Sequence, residues 1–89
     1  MISKKCYVVT SLCEDLDENT AEVNVIKVVG SRDKAEELLL QLKEELIDNY
    51  NESSITDYGI DEGLKDGYII VGNKNEIITF EYHESEVDL

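Results

Sequence analysis

Basic side chains are scarce in this sequence, and their scarcity limits the partners that the protein can bind. Lys and Arg together number 8 against 21 Asp and Glu, which gives a formal net charge of −13 at pH 7. Binding to nucleic acid or to an anionic membrane surface requires Lys and Arg to neutralise phosphate charge. We therefore expect neither direct nucleic-acid binding nor membrane binding. Such a charge instead favours solubility, association with cations, or a basic protein surface as partner.

Cysteine and histidine are also rare, which argues against several kinds of chemistry. Cys6 and Cys13 are too few for the disulfide scaffold of a small secreted protein. Their odd separation places them on opposite faces of a strand that runs through both, so we expect two free thiols. His83 is the only histidine, and no zinc-ligand spacing or nucleophile signature surrounds either cysteine. We predict no enzymatic activity, no metal site and no cofactor.

Long apolar runs are missing as well. The first residues, Met1 to Lys5, lead directly into a predicted strand, without an apolar run of signal-peptide length. No stretch of about twenty apolar residues is long enough to span a bilayer. We therefore expect a cytoplasmic protein. Its 89 residues, 42% of them hydrophobic, are enough for one folded domain, so residues 1–89 are predicted to form a single acidic α+β domain.

The clearest pattern that is present predicts a helix from Ser31 to about Tyr50. Ser31 is a suitable N-cap, and Asp33 places a negative charge in the first turn, where the helix dipole is positive. Apolar residues recur at the three-and-four spacing of one helix face. They are Ala35, Leu38, Leu39, Leu42, Leu46 and Tyr50, with Leu40 and Ile47 widening the stripe. The opposite face is acidic and carries Glu36, Glu37, Glu44, Glu45 and Asp48.

Strand patterns flank this helix on both sides. Residues 4–12, 21–29, 68–72 and 76–82 are rich in β-branched and aromatic side chains, and each run predicts a strand. The acidic segment 14–20 is of hairpin type, and residues 73–75 predict a short turn in which Asn tolerates positive φ. The glycine-punctuated segment 59–67 predicts a loop anchored by Ile60 and Leu64. The order ββαββ predicts an α+β fold, a four-stranded and mainly antiparallel sheet with the helix on one face.

The second predicted strand has apolar residues on both faces. Simple alternation places Val23, Val25 and Val29 on one side with Lys27, and Ile26 and Val28 on the other. We therefore expect this strand inside the sheet or at an oligomer contact. If Ile69, Val71, Val23 and Val25 contribute to the uncovered face of the sheet, that face is a candidate dimer surface.

Two local patterns resemble ligand sites and then depart from them. Residues 15–19 alternate oxygen-bearing side chains like the start of an EF-hand loop, but Thr20 replaces the required Gly and Ile26 the required Glu. The glycines of residues 59–67 lack the phosphate-binding GxxxxGK[ST] spacing, and the acidic residues among them repel anions. We interpret both segments as turns.

The acidic surface is the one functional signal that remains. Glu84, Glu86 and Asp88 alternate, so they line one face at intervals of roughly 6 to 7 Å if the last strand continues. Such intervals resemble the spacing of phosphates along a nucleic-acid strand. Tyr50, Tyr58 and Tyr82 lie near the acidic segments and are candidate amphipathic anchors for a partner.

With these features the chain resembles small acidic proteins encoded by bacteriophages and mobile elements, including anti-CRISPR inhibitors and DNA mimics. The resemblance rests on size, on the ββαββ order and on two acidic segments. These are the helix face (Glu36, Glu37, Glu44, Glu45, Asp48) and the chain end (Glu81, Glu84, Glu86, Asp88). It implies a non-enzymatic inhibitor that occupies the basic nucleic-acid or target-recognition surface of a host defence protein. The alternative is a homo-oligomeric structural or regulatory domain that pairs through an exposed apolar sheet face.

Overall fold

The computed structural model describes the backbone of residues 3–88 and the side chains of residues 4–86. Residues 3–88 contain one long helix and five strands, where the sequence predicted four strands. In chain order the elements are β1 (Ser3–Asp15), β2 (Thr20–Val29), α1 (Arg32–Glu52), β3 (Gly59–Gly63), a 3-10 turn (Leu64–Asp66), β4 (Tyr68–Gly72) and β5 (Glu76–Asp88). The α+β class and the two predicted hairpins are confirmed.

All five strands form one antiparallel sheet in the order β2-β1-β5-β4-β3. The hairpin β1-β2 and the meander β3-β4-β5 join where β1 pairs with β5, from Ser3 opposite Asp88 to Asp15 opposite Glu76. α1 connects the two units, so the chain crosses one sheet face from the β2 edge to the β3 edge. Both edge strands therefore come directly before or after the helix.

The helix begins and ends close to the predicted positions. Ser31 is the N-cap, and its hydroxyl oxygen accepts a hydrogen bond from the Lys34 amide at 3.2 Å. The predicted apolar stripe faces the sheet and forms the core with residues of β1, β4 and β5. The fully or nearly fully buried core residues are Val9, Ala35, Leu39, Tyr50, Ile69, Val71 and Phe80. Within residues 3–88 no helix is long and apolar enough to cross a membrane.

The segment predicted as a loop contains the additional strand, β3. Its five residues pair with β4 from Gly59 opposite Gly72 to Gly63 opposite Tyr68. Leu64 packs against the core as predicted, but Ile60 is 45% exposed and is not an anchor. The prediction failed because β3 has glycine at both ends and acidic residues between them. Its extended conformation comes from pairing with β4, and intrinsic strand preference contributes little.

The faces of β2 differ from simple alternation because the strand contains a β-bulge. Val9 pairs with Lys27 whereas Thr10 pairs with Val25, so Ile26 is an extra residue in β2. An extra residue reverses the alternation of every residue beyond it. Val23, Val25 and Val28 consequently lie together on the sheet face opposite α1. Lys27 and Val29 lie on the helix side.

The face opposite α1, which we call the open face, also has a different composition from the predicted one. Ile69 and Val71 point toward the helix and are completely buried, so they do not contribute to the open face. Ile70, between them, points to the open face instead. Val23 and Val25 do lie there, with 66% and 67% of their surface exposed. The predicted composition of the open face was therefore right for Val23 and Val25 of β2. It was wrong for β4, where Ile70 points to the open face instead of Ile69 and Val71.

Side-chain oxygens of Asp and Asn stabilise the two hairpin turns. The Asp15 carboxylate accepts hydrogen bonds from the amides of Asp17 and Glu18, at 3.0 and 3.2 Å. The Asn73 side chain similarly accepts from the amides of Asn75 and Glu76, at 2.7 and 3.0 Å. Neither Asn73 nor Asn75 adopts the positive φ that the sequence allowed. Side-chain hydrogen bonding therefore forms the second turn without left-handed backbone.

Candidate functional site

Four acidic residues line the outward side of α1, and we call them the acidic stripe. They are Glu37, Glu44, Glu45 and Asp48, and all four are exposed. Glu44 and Asp48 are one helical turn apart, so their carboxylates are neighbours on the helix surface. The last turn of α1 contains no basic residue. Because the C-terminal end of a helix carries a partial negative charge, the stripe runs toward a helix end that also repels anions.

Glu36, the fifth acid predicted on this helix, has a different environment. Its carboxylate lies 3.4 Å from the Arg32 guanidinium and is partly buried beside the sheet. The Arg32 Nε donates a hydrogen bond to the Tyr82 hydroxyl at 3.0 Å, and that hydroxyl donates to the Leu64 carbonyl at 2.9 Å. Glu36 and Tyr82 therefore belong to a cluster that fastens the start of α1 to β5.

The predicted acidic tail does continue as a strand, but its charges are divided between the two sheet faces. Glu84 and Glu86 lie on the helix side, and the Lys5 ammonium is 3.1 Å from the Glu84 carboxylate. This contact raises the pKa of Lys5. Glu81 lies on the open face, 3.2 Å from the His83 imidazole. The backbone of Asp88 pairs with Ser3, but its side chain is outside the described residues.

The tyrosines near the end of α1 are less accessible than a surface anchor requires. Tyr50 is only 4% exposed, and its hydroxyl donates a hydrogen bond to the Glu76 carboxylate at 2.8 Å. Burial, and then this bond to Glu76, raise the pKa of Tyr50 above its usual value. Tyr58 is half-buried, with its ring centroid 5.4 Å from that of Tyr50. Tyr50 is therefore a core residue, whereas part of Tyr58 stays accessible.

A second concentration of acidic residues lies near the C-terminal end of α1 and was not predicted as a unit. A surface depression of about 540 Å³ is lined there by Glu14, Asp15, Glu22 and Glu76 around Cys13. Burial and the nearby carboxylates raise the pKa of the Cys13 thiol, which opposes formation of a nucleophilic thiolate. Each acid was visible in the sequence, but Glu22 and Glu76 come together only through the pairing of β1 with both neighbours.

The charged side chains around the acidic stripe determine what this surface can bind. Among residues 4–86 no group of three or more His, Cys, Asp or Glu is arranged to hold a metal ion. A groove of about 510 Å³ runs between α1 and β2 beside the acidic stripe, and it is lined by Lys27 of β2 and by Lys34, Glu37 and Glu44 of α1. Lys27 therefore borders the acidic stripe on its β2 side, and Lys34 precedes Glu37 by one turn of α1.

Comparisons with protein-family models, curated proteins and solved structures found no match to this chain.

Proposed function

We propose that this protein is a non-enzymatic binding protein whose acidic stripe occupies a basic surface of a partner protein. The observation that carries the proposal is the contrast between two sets of acidic residues. Glu36, Glu62 and Glu84 each form an ion pair with a Lys or Arg of the same chain. The four residues of the acidic stripe take part in none of the ion pairs found among residues 4–86.

The charge of the stripe is unfavourable for the isolated protein. Neighbouring like charges on a helix cost a few tenths of a kcal/mol per pair, and acids near a C-terminal helix end add a cost of similar size. Docking onto Lys and Arg of a partner would relieve both costs. It would also place the carboxylates of Glu37, Glu44 and Asp48, which are two turns and one turn apart along α1, where phosphates of a nucleic acid normally lie.

The partner that fits best is a basic protein surface that normally holds DNA or RNA. Occupation of that surface would inhibit the partner, as in the anti-CRISPR and DNA-mimic proteins that the sequence resembles. The inhibitor would act in the cytoplasm, where such nucleic-acid-handling proteins work. Long-range attraction between the −13 protein and a basic surface would speed association and make it sensitive to salt.

Co-purification from the lysate of the protein's own host tests the proposal. The tagged protein is applied at about 0.05 M and about 0.5 M salt, after nuclease treatment, and retained proteins are identified by mass spectrometry. We expect a basic nucleic-acid-handling protein to be held at low salt and released at high salt. Retention that does not depend on salt, or retention of no such protein, would contradict the proposal.

Two variants locate the binding surface, and the one expected to lose more binding changes the net charge less. The stripe variant carries Glu37→Gln, Glu44→Gln, Glu45→Gln and Asp48→Asn, and we expect it to lose the partner. The tail variant carries Glu84→Lys, Glu86→Lys and Asp88→Lys, and it tests whether the end of β5 contributes. Since Glu84 already lies beside Lys5, we expect a smaller loss from the tail variant. Equal binding by the stripe variant and the original chain would exclude the stripe.

The alternative role, a homo-oligomeric structural or regulatory domain, is favoured by one observation. Val23, Val25 and Val28 are large, apolar and mostly exposed on the open face of β2. Dimerisation that salt does not weaken, with no basic protein retained from the lysate, would favour this role over inhibition.

A further inference from the structure

The outer edge of β2 is the longest unpaired sheet edge in the described part of the chain. β2 has ten residues and pairs only with β1, whereas the opposite edge strand, β3, has five. An edge strand presents unpaired backbone N–H and C=O groups that can accept another strand. β2 combines such an edge with the exposed valines of the open face.

β2 also carries two features that normally discourage strand pairing. Lys27 is exposed on the helix side, and the bulge at Ile26 interrupts the regular edge. An arbitrary strand would meet both obstacles. A partner strand must therefore supply an acid opposite Lys27 and must leave the extra residue Ile26 unpaired.

We propose that β2 pairs antiparallel with β2 of a second copy, so that the two sheets form one continuous ten-stranded sheet. The two-fold axis passes between Asn24 and Asn24 of the second copy, which lie opposite each other. In this register Val23 lies opposite Val25 of the second copy. Beyond the extra residue Ile26, Lys27 lies opposite Glu22 of the second copy. The two-fold axis repeats each contact, as an isologous interface requires.

The side chains agree with this register on both faces of the sheet. Glu22 and Lys27 both lie on the helix side, because they pair with Cys13 and Val9 of β1. Val23 and Val25 both lie on the open face, opposite Leu12 and Thr10. Opposite charges and apolar pairs directly across antiparallel strands stabilise a sheet. Lys27 borders the groove that Glu37 and Glu44 line, but it takes part in no ion pair among residues 4–86, so its ammonium can contact Glu22 of the second copy.

The net charge sets the conditions under which the dimer forms. Two copies, each with a formal charge of −13, repel each other at low salt. Screening at higher salt weakens this long-range repulsion more than it weakens the interface, where only the two Glu22–Lys27 pairs depend on charge and the hydrogen bonds and valine contacts do not. Dimerisation should therefore strengthen as salt rises, opposite to the salt dependence expected for a basic partner. The two interactions are separable for that reason.

Exchanging the charges of Glu22 and Lys27 tests the pairing. Dimerisation is measured by sedimentation velocity over a series of protein concentrations. Glu22→Lys and Lys27→Glu each create two like-charge contacts, and each should weaken dimerisation on the order of tenfold. The double variant Glu22→Lys/Lys27→Glu restores opposite charges and should restore the dimer. The runs are made at about 0.15 M and about 0.5 M salt.

Matched controls separate the specific contact from a change of net charge. Glu18→Lys and Lys34→Glu make the same charge changes outside β2. If net charge alone mattered, Glu22→Lys would strengthen dimerisation, as Glu18→Lys should do slightly. The proposal predicts that Glu22→Lys weakens it. A wild-type monomer at every concentration and salt, single variants that follow net charge, or a double variant that does not recover would each overturn the proposal.

Discussion

The Tyr50 hydroxyl donates a hydrogen bond to the Glu76 carboxylate at 2.8 Å and so joins the end of α1 to the start of β5. Tyr50 is buried, and Glu76 belongs to the group of acidic residues around Cys13. The contact therefore supplies a donor to a carboxylate that has several acidic neighbours. It also fixes the end of the helix toward which the acidic stripe runs.

Removing this hydroxyl should destabilise the protein measurably. Tyr50→Phe keeps the buried ring but leaves the Glu76 carboxylate without its donor, and hydrogen bonds to charged groups contribute about 1.5 to 3 kcal/mol. We expect the free energy of unfolding, measured by urea denaturation at pH 7, to fall by about 1 to 2 kcal/mol. Tyr58→Phe is the matched control, since its ring packs on Tyr50 without entering the Glu76 contact. Equal losses in the two variants would show that the Glu76 contact contributes nothing.

The same residue should contribute to the alkaline unfolding of the protein. The pKa of Tyr50 is raised in the folded state, so the folded protein keeps this proton when the unfolded chain releases it near pH 10. Its contribution to stability is fully present below about pH 10 and is lost as the pH rises further. We expect a shallower alkaline decline for Tyr50→Phe than for wild type. Urea midpoints measured from about pH 8 to about pH 11 give the comparison, and parallel declines would contradict it.

A glycine beside the Tyr82 cluster is also required by the backbone. Gly67 has a φ of 91°, and a Cβ placed there would lie 3.1 Å from the Tyr82 carbonyl oxygen. Gly67→Ala should reduce the free energy of unfolding by about 1 to 2 kcal/mol, because residues with a side chain disfavour left-handed backbone. Gly59→Ala is the control, since nothing lies within 4 Å of its added Cβ. Urea denaturation of both variants decides the matter, and an unchanged Gly67→Ala would contradict the backbone argument.

Most of the fold could be predicted because its determinants are local. The Ser31 cap and the apolar stripe of α1 indicated the helix, and β-branched runs indicated four of the strands. β3 and the bulge at Ile26 could not be predicted in the same way. Each depends on a neighbouring strand, since Gly59–Gly63 becomes extended only by pairing with β4, and the bulge is defined only by the register with β1.

The candidate site was predictable in composition but not in pairing. The acids of α1 were visible as a helical face, yet sequence spacing does not show which of them meets a basic residue. Arg32 lies four residues before Glu36 and is close enough to pair, but its second contact, Tyr82, comes from the far end of the chain. Likewise Lys5 reaches Glu84 only because β1 and β5 pair along their full length.

The acidic stripe should reduce the stability of the protein that carries it. Glu44→Gln/Asp48→Asn removes two neighbouring negative charges near the C-terminal end of α1 while keeping side-chain size. We expect the free energy of unfolding to rise by about 0.5 kcal/mol at low salt, because like-charge and helix-dipole repulsion are both relieved. The gain should shrink as salt increases, since these charges are exposed. Urea denaturation at low and high salt measures both effects.

Glu36→Gln provides the control for this last prediction, because Glu36 lies 3.4 Å from Arg32 and its charge is already compensated. Removing the negative charge of Glu36 should leave the free energy of unfolding unchanged or lower it by less than about 1 kcal/mol, which is the usual contribution of an exposed ion pair. A stabilised Glu36→Gln would mean that the overall negative charge, wherever it lies, determines stability. Stabilisation restricted to Glu44→Gln/Asp48→Asn would instead locate the cost in the acidic stripe, the surface that we expect to meet a basic partner.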